Sequence, residues 1–143
     1  YAPAAILSAG SRPWGRPQAW IAAPEDSAPS LTLRWDSPVP VQEIRLFFDP
    51  DLAMELPSSH ARHWEKSHLF APRHGMPPQL VKDFALLGLL PDGTWKTLSA
   101  QKDQHQRLVV IPLEQAQAFR ALRLDIRDTW GNLPPVLYKI SVY

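Results

Sequence analysis

From Leu31 onward, apolar and polar residues alternate with period two along most of the chain, the pattern of half-buried β-strands. Leu31, Leu33 and Trp35 share one face, with Thr32 and Arg34 on the other. Pro38 and Pro40 interrupt the run. Ile44, Leu46 and Phe48 then point one way while Glu43 and Arg45 point the other. Between Leu80 and Leu90, Phe84, Leu86, Gly88 and Leu90 alternate with Ala85, Leu87 and Leu89. Both faces are apolar there, as in a covered, central strand. Pro91-Asp92-Gly93 predicts a turn, because proline presets φ and glycine supplies a positive one. It leads into a strand through Trp95 and Leu98. Another strand runs from Arg107 to Leu113. Leu122, Leu124 and Ile126 face inward against Arg123, Asp125 and Arg127. Last, Val136, Tyr138, Ile140 and Val142 alternate with Leu137, Lys139 and Ser141. Some eight or nine strands joined by turns predict an all-β sandwich or barrel.

Two stretches depart from this pattern. Glu114 to Ala118 predicts one helical turn before the strand at Phe119. The segment 49–79 has no sustained period and far exceeds the usual connection of about 4–6 residues; loops of that kind are functional or disordered. It carries Trp64, Phe70 and four of the five histidines.

Composition adds constraints. The 143 residues fit a single domain, 1–143, with a long loop insertion at about 49–79. Sixteen prolines against 6 glycines fit rigid connections between strands. A net charge of +1 leaves no electrostatic footprint for nucleic acid or an anionic membrane. No apolar run is long enough for a membrane span, and no basic start with an apolar core marks a signal peptide. There are no cysteines, so disulfides, thiolate nucleophiles and cysteine-based metal sites are excluded. The compartment stays open, with a periplasmic or extracellular setting as the expectation. The start at Tyr1, without methionine, reads as a piece of a longer protein.

Several motifs carry a family likeness. Val81-Lys82-Asp83-Phe84-Ala85-Leu86-Leu87, followed by Asp92-Gly93-x-Trp95-x-x-Leu98, resembles the central signature of discoidin-like (coagulation factor type C, galactose-binding-like) domains. The close fits too: Leu122-Arg123-Leu124, a loop, then Tyr138-Lys139-Ile140-Ser141-Val142-Tyr143, with lysine where the family usually has glutamate. More narrowly, Ser11-Arg12-Pro13-Trp14, Gln18-Ala19-Trp20-Ile21-Ala22, Leu31-Thr32-Leu33-Arg34-Trp35-Asp36 and Gln104-His105-Gln106-Arg107 look like the C-terminal region of bacterial FAD-dependent oxidoreductases. The likeness implies an antiparallel jelly-roll β-sandwich of about eight strands, with any ligand held by loops at one rim. It also implies that FAD, if the parent protein uses it, binds upstream. This chain has no G-x-G-x-x-G to hold a pyrophosphate, so no cofactor is expected in it.

Candidate chemistry is concentrated in predicted loops. Trp20, Trp35 and Trp95 fall in strand patterns and read as core. Trp14, Trp64 and Trp130 fall in loops, where an aromatic face offers a sugar a flat platform and a neighbouring Arg, Asn or Asp satisfies its hydroxyls. The ligand-binding candidates are Arg12, Trp14, His63, Trp64, Arg73, Trp130 and Asn132. The competing reading has these tryptophans plugging the sandwich ends or packing on an upstream domain of the parent. His60, His63, His68 and His74 lie close together, but no HExxH frames them and prolines break the backbone, so solvated loop histidines are expected rather than a metal site. Asp49 with Asp51, and Asp125 with Asp128, could pair across a cleft as a glycosidase needs. They could also hold calcium. More often such strand-end carboxylates cap turns or form ion pairs. No triad, nucleophile elbow or P-loop is present, so no catalytic residue is assigned. The expectation is a non-catalytic accessory module that recognises carbohydrate. The alternative is a structural, interdomain or oligomerisation role without a ligand. A third reading has the 49–79 loop reaching into the parent's active site as a lid.

Overall fold

The computed structural model describes residues 3–7, 10–11, 18–51 and 75–143. A short 3-10 helix, Pro3–Leu7, precedes six strands: β1 (Trp20–Ile21), β2 (Ser30–Phe48), β3 (Val81–Leu89), β4 (Trp95–Gln101), β5 (Leu108–Thr129) and β6 (Val136–Val142). All pairings are antiparallel, in the order β1-β6-β2-β5-β3-β4. No helix among the described residues is long and apolar enough to cross a membrane.

Two strands are far longer than the usual 5–6 residues: β2 has 19 and β5 has 22. Each is shared between two layers. In one layer Ser30–Arg34 pairs with Ala121–Asp125, which pairs in turn with β3, and β3 with β4. In the other, Glu43–Phe47 lies between Leu108–Pro112 and β6, which carries β1 on its far edge. Register shifts between Arg34 and Val39 and between Val41 and Glu43 mark where the β2/β5 ribbon turns from one layer into the other. Counted by layer, the strands make eight segments, the expected jelly-roll sandwich. The corner lies at one end. The loops 22–29, 102–107 and 130–135 gather at the opposite end, the rim, together with the described ends of the connection between β2 and β3.

The prolines and the helix-forming stretch behave differently from expectation at the corner. Pro38 and Pro40 do not end β2; Pro40 lies opposite Ala118, within the irregular part of the ladder. Glu114–Ala118 is not a helical turn but part of β5, with Gln117 and Ala118 paired to Val41 and Pro40. Five residues cannot offset the cost of helix nucleation against an available strand partner.

Between the layers sits one core. Ile44, Leu46 and Phe48 of β2, Phe84 and Leu86 of β3, and Leu122, Leu124 and Ile126 of β5 are all buried in it. The Phe48 and Phe84 rings, one from each layer, meet at 5.5 Å between centroids. Two further sequence readings need correction here. In β6 a bulge sets Leu137 opposite Phe48 and Lys139 opposite Phe47. Leu137, Ile140 and Val142 therefore join the main core, while Val136 and Tyr138 form a second cluster with Ala19, Ile21 and Phe47. Strict alternation across Tyr138 fails because the bulge inserts an extra residue. Trp20 is core and Trp35 packs against it, but Trp95 is not. It pairs with Leu89 on the outer face, under the Arg123 guanidinium at 4.9 Å. The β3 glycine, finally, is a packing requirement: a Cβ at Gly88 would fall 2.5 Å from the Phe119 ring.

Phe119 is fully buried at the corner, so it cannot swing away from an added methyl. Gly88→Ala should lower stability by about 1–3 kcal/mol. Chemical denaturation of Gly88→Ala, Phe119→Leu and the double variant checks this. The two effects should be clearly less than additive, because the smaller leucine side chain makes room for the methyl.

Candidate functional site

Three polar arrangements occupy the rim. The first is a shallow depression of about 300 Å³ lined by the 22–29 loop, the end of β5 and the 132–135 loop. Its charged and amide lining comprises Glu25, Asp26, Arg127, Asp128 and Asn132, with the hydroxyls of Ser27 and Thr129 beside them. Backbone bonds fix its walls. Ile126 N–H donates to the Pro29 carbonyl at 2.9 Å, and Ala22 N–H to that of Pro135 at 3.2 Å. Asp26 caps its own turn, with a carboxylate oxygen accepting from Ala28 N–H at 3.0 Å. Thr129 ties the other wall: its hydroxyl donates to the Leu133 carbonyl at 2.8 Å and accepts from Leu133 N–H at 2.9 Å. Asn132 adopts φ +53°, a left-handed conformation that asparagine tolerates. Gly131 N–H donates to the Pro78 carbonyl at 2.7 Å, and a Cβ at Gly131 would collide with Pro78, so only glycine fits.

The second arrangement surrounds Trp130. Its indole N–H donates to the Gln104 carbonyl at 2.8 Å, and Lys82 Nζ lies 5.4 Å from the ring centroid. The ring also packs against the main core. Lys82 reaches Asp128 at 3.4 Å and Asp103 at 3.8 Å. The hydrogen bond to Asp128 is the largest influence holding the ammonium above its ordinary pKa. Gln104 is buried, and its side-chain amide donates to the Val81 carbonyl at 2.6 Å. Trp130 is thus tied into the rim by its own polar group, and it does not line the depression.

The third arrangement lies at the root of the insertion. Asp49, only 9% exposed, accepts from Asp51 N–H at 2.7 Å and faces the Gln79 amide at 3.4 Å. One carboxylate therefore holds both ends of the 49–79 segment. It also accepts from the Tyr138 hydroxyl. Nearby, Arg107 donates to the Ser11 carbonyl at 2.6 Å.

Of the residues proposed from sequence, the structure brings Asn132 to the depression and places Trp130 beside it, on the Lys82 side. Arg12, Trp14, His63, Trp64 and Arg73 lie outside the described residues. The strand-end aspartates work as turn caps and ion-pair partners. Asp128 accepts from Thr129 N–H at 2.8 Å and pairs with Lys82, while Asp125 pairs with Arg123 at 3.0 Å. Among the described residues, no group of three or more His, Cys, Asp or Glu could hold a metal ion. Sequence reasoning missed Glu25, Asp26 and Arg127. The signal was there: a charged, proline-bounded loop, Pro24–Pro29, and an Arg-Asp-Thr close to β5, both lying beside the Gly131-Asn132 turn. Only the fold brings them together.

No protein-family model matches the chain, and no curated protein matches it by sequence. Solved structures do match in fold. The family 32 carbohydrate-binding module from Streptococcus pneumoniae EndoD superposes with a TM-score of 0.65 at 14% identity, over 97% of this chain and 82% of that one. Chitosan-binding module 1 from the chitosanase/glucanase of a Paenibacillus species gives 0.67 at 10%, over 99% and 84%. The family 32 module of Clostridium perfringens NanJ, solved with galactose, gives 0.65 at 8%, over 98% and 82%. The chain therefore has the jelly-roll β-sandwich fold of these modules. None of the three is a flavoenzyme, so the narrower likeness to an oxidoreductase tail gains no support from them.

Tyr138 provides a test of the rim's electrostatics. Burial first, and then the hydrogen bond to Asp49, raise its pKa well above the ordinary tyrosine value. The folded state therefore keeps a proton that the unfolded chain loses near pH ~10. The resulting stability is complete below about pH 10 and is lost as pH climbs toward the folded-state pKa. Unfolding midpoints should hold up to about pH 10 and fall above it. Tyr138→Phe should flatten that fall, and removing the hydroxyl should cost about 1–2 kcal/mol at neutral pH.

Proposed function

We propose that this chain is a non-catalytic carbohydrate-recognition module whose site is the rim depression between the 22–29 loop, the end of β5 and the Asn132 turn. The observation that carries the reading is its lining: one guanidinium, three carboxylates and a side-chain amide within about 300 Å³. Sugar hydroxyls both donate and accept, and a site that orients them needs planar groups of both kinds. Arg127 and Asn132 donate; Glu25, Asp26 and Asp128 accept; Asn132 also accepts. The volume sits at the low end for small-molecule sites, which favours a terminal sugar over a long chain. Backbone bonds fix the walls before any ligand arrives, so little ordering cost is left to binding.

The fold neighbours supply the second support, since two are family 32 carbohydrate-binding modules and one is a chitosan-binding module of a chitosanase/glucanase. The same likeness favours a carbohydrate-active parent over the FAD-dependent oxidoreductase that the sequence motifs resemble. In this reading the stacking face comes from Trp14 or Trp64, with Arg12, His63 and Arg73 as further polar contacts. Trp130 braces the rim from below. The segment bearing Trp64 is rooted at the rim by Asp49 and Gln79, and the one bearing Trp14 follows Ser11, which Arg107 holds.

A glycan array screened with the folded chain, followed by titration of each hit, tests the proposal. Arg127→Ala and Asn132→Gly are exposed substitutions that leave the core untouched, and glycine keeps the left-handed turn. Each should weaken a genuine hit by about tenfold, the loss of one charge-assisted or bidentate contact. Trp14→Ala and Trp64→Ala should separate stacking from hydrogen bonding. Hits indifferent to Arg127 and Asn132 would move the site elsewhere, and a folded sample with no hits would favour the structural role.

A further inference from the structure

Among the described residues, five large apolar or aromatic side chains are exposed: Leu7, Leu108, Val110, Leu133 and Tyr143. Of these only Leu133, 46% exposed, lines the rim depression. A single exposed leucine is common and by itself asks for no explanation. What sets this one apart is how firmly its backbone is held. Its N–H donates to the Thr129 hydroxyl at 2.9 Å, and its carbonyl accepts from the same hydroxyl at 2.8 Å. Thr129 is itself buried. On one side of the leucine, Asn132 N–H closes the turn onto the Thr129 carbonyl at 3.3 Å. On the other, Pro134 and Pro135 fix φ and confine the residue before them. Leu133 is therefore presented at the depression with its main chain already ordered, and a ligand need not order it.

Its neighbour, both in sequence and in the lining, is Asn132, whose side-chain amide donates and accepts. An amide beside an aliphatic side chain suits one kind of sugar substituent. A hydroxyl offers nothing to leucine. A sugar carboxylate would meet Glu25, Asp26 and Asp128 against the single guanidinium of Arg127. A free ammonium would lose water against the leucine side chain. An acetamido group is a planar amide that ends in a methyl, so its two parts match the two neighbouring side chains.

We infer that Leu133 is a specificity-determining residue of the depression, and that the sugar it selects carries an acetamido group. The amide of that group pairs with Asn132 and its methyl covers Leu133. The ring hydroxyls fall to Arg127 and the carboxylates. The inference rests on the rim depression being a sugar site and adds to it the substituent that is read.

Calorimetric titration of the full chain with matched sugars tests the inference: glucose against N-acetylglucosamine, and galactose against N-acetylgalactosamine. In the pair whose stereochemistry the site accepts, the acetamido sugar should bind about tenfold tighter, the worth of one buried methyl and one amide hydrogen bond. The free amine, and the N-formyl sugar that lacks the methyl, should each lose most of that gain. Leu133→Ala should cut the ratio to about threefold or less. Leu133→Met, similar in volume and still apolar, should restore it. Leu133 is exposed, so both variants should keep the parent's unfolding midpoint. Three outcomes would overturn the inference and leave a sugar site dependent on Arg127 and Asn132 standing: a ratio near one, a free amine that binds tighter than the acetamido sugar, or a preference undiminished in Leu133→Ala. A folded chain that binds no sugar overturns the rim site and this inference together.

Discussion

Everything in this domain depends on one bent ribbon, β2 paired with β5, passing from one layer of the sandwich to the other. A strand can serve two layers only if it breaks register where it turns, and here the breaks lie around Pro38, Pro40 and Val41. Proline suits those positions because the ladder bonds are already interrupted. The corner must also be filled from inside. Phe119 does this, fully buried, with its ring against the backbone of Gly88. The apparent breaks in the sequence are thus the points that let two long strands enclose a core.

That relation explains what could be read from the sequence. Period-two alternation reported Ile44, Leu46, Phe48, Phe84, Leu86, Leu122 and Leu124 correctly, since each lies in a regular stretch with one buried face. It failed wherever a bulge changed the phase. Val136 and Tyr138 look continuous with Ile140 in sequence, yet the bulge sends them to the opposite face. Glu114–Ala118 has helix-forming composition and becomes strand because Pro40 and Val41 lie alongside. Trp95 does fall in a strand, as expected, where alternation sets it with the polar Thr97 and Ser99. What sequence cannot tell is that its face is covered by an arginine rather than by another sheet.

The rim was legible in its parts and not as a site. Asn132 could be singled out from its neighbourhood, and the aspartates were recognisable as turn caps. The depression combines loops separated by about a hundred residues, so no local pattern announces it. Trp130 illustrates the same limit from the other side. In sequence it is a loop tryptophan beside polar residues, the profile of a stacking platform. In the structure its N–H is bonded to Gln104 and Lys82 lies over its ring. A committed polar group and an occupied face describe a brace, and the brace fixes Asp128 through Lys82.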